Sequence, residues 1–201
     1  MIQKDKVPWL KKIDIKWQYF QAKRGFEITL GKMLQPTQGG SDDIEVPYLK
    51  ALHIHWDRIN VENLPTMWAN QTEIKQLALQ NGDLIVCEGG EVGRASILND
   101  QLPPNCIIQN SLHRVRSRDL GDTRFLRYLL QTASDIGWFD VLCNRATIAH
   151  FTVEKFREFW ITAPSKDEQK LIADYLDRET TEIDNLVAEK EKMLALLEEK
   201  W

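Results

Sequence analysis

The stretch SKDEQKLIADYLDRETTEIDNLVAEKEKMLALLEEKW, residues 165–201, contains neither Gly nor Pro and consists mostly of strong helix formers. Ser165, with Glu168 three residues later, forms a capping-box signature for a helix that begins at residue 166. At about 1.5 Å per residue this helix would be roughly 50 Å long. We therefore expect it to pair with another long helix, along an apolar seam at helical spacing that consists of Ile172, Leu176, Ile183, Leu186, Met193 and Leu197.

Acidic residues are concentrated on this helix. Residues 166–201 contain six Lys or Arg and eleven Asp or Glu, whereas residues 1–165 contain 20 basic and 19 acidic residues. The net charge of −4 therefore comes from the helix, and the globular part, residues 1–165, is nearly neutral. Local basic clusters matter more than totals for binding to phosphates. They lie in the globular part: Lys11, Lys12 and Lys16; Lys23 and Arg24; Arg114, Arg116 and Arg118; Arg124 and Arg127.

The chain before the long helix predicts many short strands and few helices. Apolar and β-branched runs predict strands over 17–20, 26–30, 46–54, 106–115 and 156–162. A strand over 84–87 and a second strand ending near Leu98 form a hairpin around a Gly-rich bend. Helices are predicted over 72–79 and 122–132, and loops over 35–46 and 144–153. Because strands and helices do not alternate regularly, we expect an α+β domain with a mixed sheet over 1–165, followed by the helix at 166–201.

Several classes of protein are disfavoured by composition. No segment approaches the roughly 18 consecutive apolar residues of a membrane span, and the N-terminus has no apolar region typical of a secretory signal. The three cysteines, Cys87, Cys106 and Cys143, lack metal-site spacing and are expected to be free thiols in a reducing compartment. We therefore expect a cytoplasmic protein with no membrane partner.

Motifs of common catalytic sites are missing or incomplete. The segment GFEITLGK, residues 25–32, has one residue too many for a phosphate loop, and Met33 stands where Ser or Thr should bind the metal. GGEVGR, residues 89–94, precedes a strand instead of a helix, which disfavours a dinucleotide site. His53 and His55 share one face of a predicted strand, but no third metal ligand is evident. We therefore expect no catalytic residue, no metal and no cofactor.

Five stretches together resemble one family. They are VPYLKALHIHWDRI (46–59), NGDLIVCEGGEVGRASI (81–97), IIQNSLHRVR (107–116), ATIAHFT (146–152) and PSKDEQKLIADYLDRETTEIDNLVAEKEKMLALLEEK (164–200). The chain resembles the specificity (S) subunit of type I restriction-modification systems. The resemblance implies a target recognition domain that binds double-stranded DNA, with methylation and cleavage carried out by separate modification and restriction subunits. It also implies that the long helix pairs with a second such helix, in another copy or another S chain.

The length departs from the family pattern. A full S subunit has two recognition domains and about twice this length, so the chain is expected to be a half-subunit, a truncated product or a fragment. Two other functions remain open: an oligomeric scaffold that binds proteins, and a recognition module detached from a fused restriction-modification enzyme. DNA binding by the isolated chain would exclude the first, and the neighbouring genes would distinguish the second.

Candidate DNA contacts lie in loops, because recognition needs hydrogen-bonding groups surrounded by basic side chains. The expected recognition loops are 35–43, 53–60, 88–94, 109–116 and 143–150. Arg favours guanine, and Asn and Gln favour adenine. The candidate base contacts are Gln35, Gln38, Arg58, Arg94, Asn110, Asn144, Arg145 and His150. The candidate phosphate contacts are Lys32, Lys50, Arg114 and Arg116.

Each candidate has a structural alternative at this stage. Arg94 follows Gly93 and would equally suit hydrogen bonds to loop carbonyls, and Asn110 would equally suit a strand edge. The basic run at 114–118 would also fit a solvated face. Lys190, on the apolar seam, is a candidate for fixing the register of the paired helices.

Overall fold

The computed structural model describes residues 17–56, 58–143 and 150–198. The strands are β1 (Gln18–Gln21), β2 (Phe26–Leu30), β3 (Ile44–Leu49), β4 (Thr66–Ala69), β5 (Leu84–Cys87), β6 (Ala95–Ile97), β7 (Ile107–Ile108), β8 (Leu112–Ser117) and β9 (Trp160–Ala163). The helices are α1 (Ala22–Gly25), α2 (Gln71–Leu77), α3 (Thr123–Asp135), α4 (Trp138–Leu142), α5 (Val153–Glu158) and α6 (Lys166–Glu198), with a 3-10 turn at Ala51–His53.

The strands form three small sheets. The largest has the order β2-β8-β5-β6 with antiparallel neighbours throughout. The second has the order β4-β3-β7 and is mixed, because β3 is antiparallel to β4 and parallel to β7. The third pairs β1 with β9, which brings the start of the described chain beside the strand that leads into α6. The α+β architecture with a mixed sheet and a long C-terminal helix is therefore confirmed.

Strand β5 lies at the centre of the fold and is buried on both faces. Its side chains alternate: Leu84 and Val86 join a core with α3 and α5, whereas Ile85 and Cys87 join a second core with β7 and the segment 49–64. This is the period-two alternation of a strand that separates two layers. A third, smaller core lies between β3, β4 and α2.

Two glycines permit close approaches that no other residue allows. A Cβ on Gly31 would lie 2.2 Å from Gln109 O, so only glycine lets the chain after β2 pass beside residue 109. Gly93 has φ of +80° and its Cβ would lie 2.2 Å from the Phe139 ring, so the bend after β5 packs directly on α4.

Helix α6 begins as the sequence predicted. The Ser165 side chain accepts a hydrogen bond from Glu168 N at 3.4 Å, and the Glu168 carboxylate accepts from Ser165 N at 3.1 Å, which completes the capping box. The first turns pack on α3 and bury Gln169 and Ala173. Beyond residue 180 every described residue of α6 is exposed.

The apolar seam accordingly divides into two parts. Ile172 and Leu176 are partly covered by the domain. Four members project into solvent: Ile183 (58% exposed), Leu186 (59%), Met193 (55%) and Leu197 (55%).

Most predicted elements are present, but three strand predictions are wrong in part. The predicted strand 106–115 is broken by a turn in which Leu112 N donates to Gln109 O at 2.9 Å. Its halves, β7 and β8, join different sheets. The predicted strand 156–162 starts as α5, because Thr152 caps a helical turn by accepting from Lys155 N. The predicted strand 46–54 ends at Leu49, and α1, β4 and α4 were not predicted.

Candidate nucleic-acid interface

Hydrogen bonds between backbone groups gather several predicted recognition loops at one end of the sheets. Glu88 N, just after β5, donates to Ser111 O at 2.9 Å, and Phe151 N donates to Glu88 O at 2.8 Å. Asn110 N donates to Lys32 O, and Gln109 N to Leu49 O, each at 2.9 Å. We call this region the loop end, and define it as residues 31–35, 50–56, 58, 88–94, 109–111 and 150.

The loop that leaves the loop end at Gln35 is organised around Asp43. The Asp43 carboxylate accepts hydrogen bonds from Gly39 N at 2.9 Å, Gly40 N at 3.0 Å and Gln35 Nε2 at 2.7 Å. The pKa of Asp43 is lowered, mainly because its carboxylate accepts the hydrogen bond from Gly39 N–H. The amide of Gln35 is therefore engaged within the protein, whereas Gln38 is exposed and donates only to Asp43 O, at 3.4 Å.

Arg94 connects two parts of the loop end. Its guanidinium pairs with Glu91 at 2.6 Å and donates to Ala51 O at 3.0 Å, with 20% of the side chain exposed. Glu91 also accepts from Trp56 Nε1 at 3.0 Å. These bonds hold the bend after β5 against the 3-10 turn, which favours the structural alternative for Arg94.

The two lysines predicted to contact phosphates have different surroundings. Lys32 is mostly buried and forms an ion pair with Glu73, the same residue whose carboxylate accepts from Asn70 N at the start of α2. Its charge is therefore balanced inside the protein. Lys50 is half-buried beside the 3-10 turn, where its backbone N–H donates to His53 Nδ1 at 3.1 Å. Burial lowers the pKa of His53, so this ring is neutral and acts as an acceptor.

Arg58, Asn110 and His150 present side chains at the loop end. Arg58 is exposed, and its carbonyl accepts from His55 N at 2.9 Å. Asn110 is half-buried. His150 is exposed, with Nδ1 3.7 Å from a Glu88 carboxylate oxygen. The candidates Asn144 and Arg145 lie outside the described residues.

A buried histidine supports the segment that carries His150. His113 Nε2 donates to Phe151 O at 2.8 Å, and burial lowers the pKa of His113 to about 4, so the ring is neutral. Phe151 is buried between Phe156, at 4.6 Å between ring centroids, and Phe139, at 5.0 Å. The chain therefore re-enters the core immediately after His150. Burial also raises the pKa of Glu88.

Arg114 and Arg116, the two arginines predicted to contact phosphates, lie in β8 away from the loop end. Arg114 is 4% exposed and donates to two carbonyls at the end of α2, Gln76 O and Ala78 O, each at 2.8 Å. Arg116 forms a two-pronged ion pair with the buried carboxylate of Asp83, at 2.6 and 2.9 Å. Both guanidinium groups are used to connect β8 to neighbouring segments, so they are structural.

Two exposed apolar residues of the loop end were not among the predicted contacts. Met33 is 75% exposed and Leu52 is 71% exposed. No local signal distinguished them, because apolar neighbours such as Leu34 and Ile54 stand in the same segments. Apolar side chains contact thymine methyl groups in many DNA complexes.

Within the described ranges, no group of three or more His, Cys, Asp or Glu residues is arranged to hold a metal ion. The three cysteines are buried free thiols, as predicted. No described helix combines the length and apolar character that crossing a membrane requires.

One comparison with known proteins identifies a family. The sequence model described as "Type I restriction modification DNA specificity domain" matches residues 16–194. No curated protein sequence matches the chain.

Solved structures resemble the chain in fold. A chain from a structure on complex assembly and conformational transition of the type I R-M system superposes with a TM-score of 0.60 at 18% identity, covering 88% of this chain and 42% of that one. The HsdS subunit from Thermoanaerobacter tengcongensis gives 0.57 at 19% identity, covering 88% and 41%. The type I restriction-modification S subunit from M. genitalium gives 0.52 at 19% identity, covering 90% and 43%.

The protein therefore spans less than half the length of the solved structures that it matches. At these identities the structural likeness shows the fold alone, whereas the family match covers most of the sequence and confirms the resemblance seen in its motifs. The chain belongs to the family of type I restriction modification DNA specificity domains.

Proposed function

We propose that this protein recognises a short duplex DNA sequence as the specificity component of a type I restriction-modification complex. The observation that carries the proposal is the family match over residues 16–194. The structure supports it, because exposed polar and basic side chains from separate segments converge at the loop end, as direct recognition of bases requires.

Within this proposal the side chains divide by their surroundings. Gln38, Arg58, Asn110 and His150 present hydrogen-bonding groups at or beside the loop end, and Lys50 supplies a nearby positive charge. We assign these to DNA contact and retain Asn144 and Arg145 from the sequence. The remaining candidates, Gln35, Arg94 and Lys32, act by shaping the loops, since each of these side chains links one segment of the chain to another.

The exposed half of α6 supports pairing with a second long helix. Ile183, Leu186, Val187 and Leu194 line an apolar groove on the helix surface, with Lys190 beside them. Large exposed apolar patches generally mark interaction surfaces. We infer that residues 1–165 form the recognition domain, and that α6 pairs in antiparallel fashion with the same helix of a second copy or of another S chain. Two half-sites would then be bound at a distance set by the pair.

The proposed partners follow from the same assignment. DNA modification and cleavage would belong to separate methyltransferase and restriction subunits, with this chain acting as a non-catalytic component in the cytoplasm. A solved chain with this fold comes from a structure of type I R-M complex assembly, which supports the proposal.

Selection from random duplex DNA at low salt tests the function. We expect an enriched motif, and we expect Arg58→Ala and Asn110→Ala to weaken binding to it. Lys170→Ala, on the outer face of α6, serves as the matched control and should bind as the parent does. A chain that binds no duplex DNA even at low salt would exclude the proposal and favour a protein-binding scaffold.

Light scattering tests the pairing. The full chain should be a dimer at micromolar concentration, and Leu186→Glu should make it monomeric, because a charge replaces an apolar side chain in the groove. A monomeric parent chain would remove self-pairing from the proposal and leave pairing with another S chain.

A further inference from the structure

Gln169 is a buried polar side chain at the junction between the recognition domain and α6. It is 1% exposed. Its amide oxygen accepts from Asp122 N at 3.0 Å, and its amide nitrogen donates to Leu120 O at 2.8 Å and to Pro164 O at 2.9 Å. One side chain on α6 thus bonds the segment before α3 and the segment before α6 itself.

The groups that Gln169 holds are themselves fixed by the core. Asp122 is the N-cap of α3, and its carboxylate accepts from Arg124 N at 3.0 Å and Phe125 N at 3.1 Å. Phe125 is buried in the main core. The three hydrogen bonds of Gln169 restrain both the position and the rotation of the start of α6. They therefore restrain the angle between the α6 axis and the recognition domain.

Besides Gln169, the junction includes the buried Ala173, the partly buried Ile172 and several more exposed polar contacts. Arg124 pairs with Asp174 at 2.7 Å and Asp177 at 2.9 Å, and Tyr128 donates to Asp177 at 2.7 Å. The side chains of Asp174 and Asp177 are 59% and 43% exposed. Exposed ion pairs of this kind are weak in water, so they define the angle less firmly than the buried amide.

The length of α6 amplifies any change of angle. For a helix of roughly 50 Å, a rotation of about 4° at the junction moves the far end by about 3.4 Å, the rise of one base pair. A spacing that is specific to one base pair therefore requires a junction that is held to within a few degrees.

We infer that Gln169 is a positioning residue that fixes the angle between the recognition domain and α6, and through that angle the spacing of the two DNA half-sites. The effect on spacing rests on the proposed function. The effect on the angle does not, because it follows from contacts within this chain and does not involve DNA.

Distances between spin labels test the angle without DNA. One label is placed at Asn99→Cys, in the exposed loop after β6, which lines a groove together with Asp184 of α6. The second label is placed at Lys192→Cys, in the exposed half of α6. The native cysteines are buried. Labelled chain is diluted with excess unlabelled chain so that only distances within one chain are measured.

We expect Gln169→Ala to broaden the distance distribution by several ångströms, while Lys170→Ala leaves it unchanged. Gln169→Met keeps a side chain of similar length without a charge and loses all three hydrogen bonds, so it should also broaden the distribution. Circular dichroism confirms that each variant is folded, and if Gln169→Ala does not fold, Gln169→Met decides. Folded variants with the same distribution as Lys170→Ala would overturn the inference.

Duplexes with two selected half-sites at different separations test the consequence. The parent should prefer one separation, and Gln169→Ala should bind several separations with affinities within a few-fold, with its affinity for a single half-site unchanged. Broadened distances with an intact preference would overturn the role in spacing. A chain that binds no DNA would refute the proposed function, and the spin-label distances would still decide the angle.

Discussion

Replacing Arg114 distinguishes a structural arginine from a DNA-binding one. The guanidinium is 4% exposed and donates to Gln76 O and Ala78 O at 2.8 Å, to Glu27 at 3.0 Å and to Thr29 Oγ1 at 3.3 Å. Arg114→Ala would leave the last carbonyls of α2 with fewer donors and would empty the space of a buried side chain.

The expected cost can be estimated from these contacts. Hydrogen bonds that involve a charged group contribute about 1.5–3 kcal/mol each, but water can reach part of this site and replace some of them. We therefore expect Arg114→Ala to lower the free energy of unfolding by about 2–4 kcal/mol. Arg114→Met keeps most of the apolar stem and should recover part of the loss. Arg118→Ala, at an exposed position just after β8, should change stability by no more than about 0.5 kcal/mol.

Urea denaturation of the three variants provides the measurement, and the salt dependence of DNA binding provides the contrast. A lysine or arginine that neutralises a phosphate contributes about one unit to the slope of log K against log salt. The structural assignment predicts that Arg114→Met binds DNA with an unchanged slope. A reduced slope together with unchanged stability would refute the assignment.

Three further outcomes follow from buried groups. Gly93→Ala should lower the free energy of unfolding by about 2–4 kcal/mol in urea denaturation, because φ is +80° and the new Cβ would lie 2.2 Å from Phe139. The control Gly82→Ala, where the new Cβ meets no neighbouring atom, should lower it by about 1 kcal/mol. A thiol reagent at about pH 8 should label Cys87 only after unfolding, since burial raises its pKa to about 11. Burial lowers the pKa of His113 to about 4 in the folded state, so the unfolded state binds more protons below about pH 6.5. Stability should therefore fall between about pH 6.5 and 4, and less steeply in His113→Asn.

Local signals predicted the helix ends and the hairpin well. The capping box of Ser165 and Glu168 forms as expected. The strand before the Gly-rich bend is β5, with all four residues buried. The capping box depends on residues three positions apart and the hairpin on strands that are close in sequence, so the sequence alone predicts them.

Predictions that depended on distant partners were less accurate. Residues 106–115 are apolar enough for one strand, but Ile107 pairs with Tyr48 in one sheet and Leu112 pairs with Cys87 in another. Asn110 and Ser111 are turn-favouring residues, but the pairing of the two halves with different sheets is what separates them into two strands. The roles of the basic residues depended in the same way on partners far along the chain.

The sequence by itself determined the long helix, its cap and its apolar seam, because helix propensity, capping and a period of 3.6 residues act within a few positions. It also identified the family through its motifs. The tertiary structure alone decided which basic residues are buried and which are exposed. Arg58 and Arg114 are chemically identical in the sequence, but Arg58 is exposed, whereas antiparallel pairing with β2 and β5 holds Arg114 against carbonyls at the end of α2. Burial is a property of the whole packed chain, and those carbonyls belong to residues more than 30 positions away.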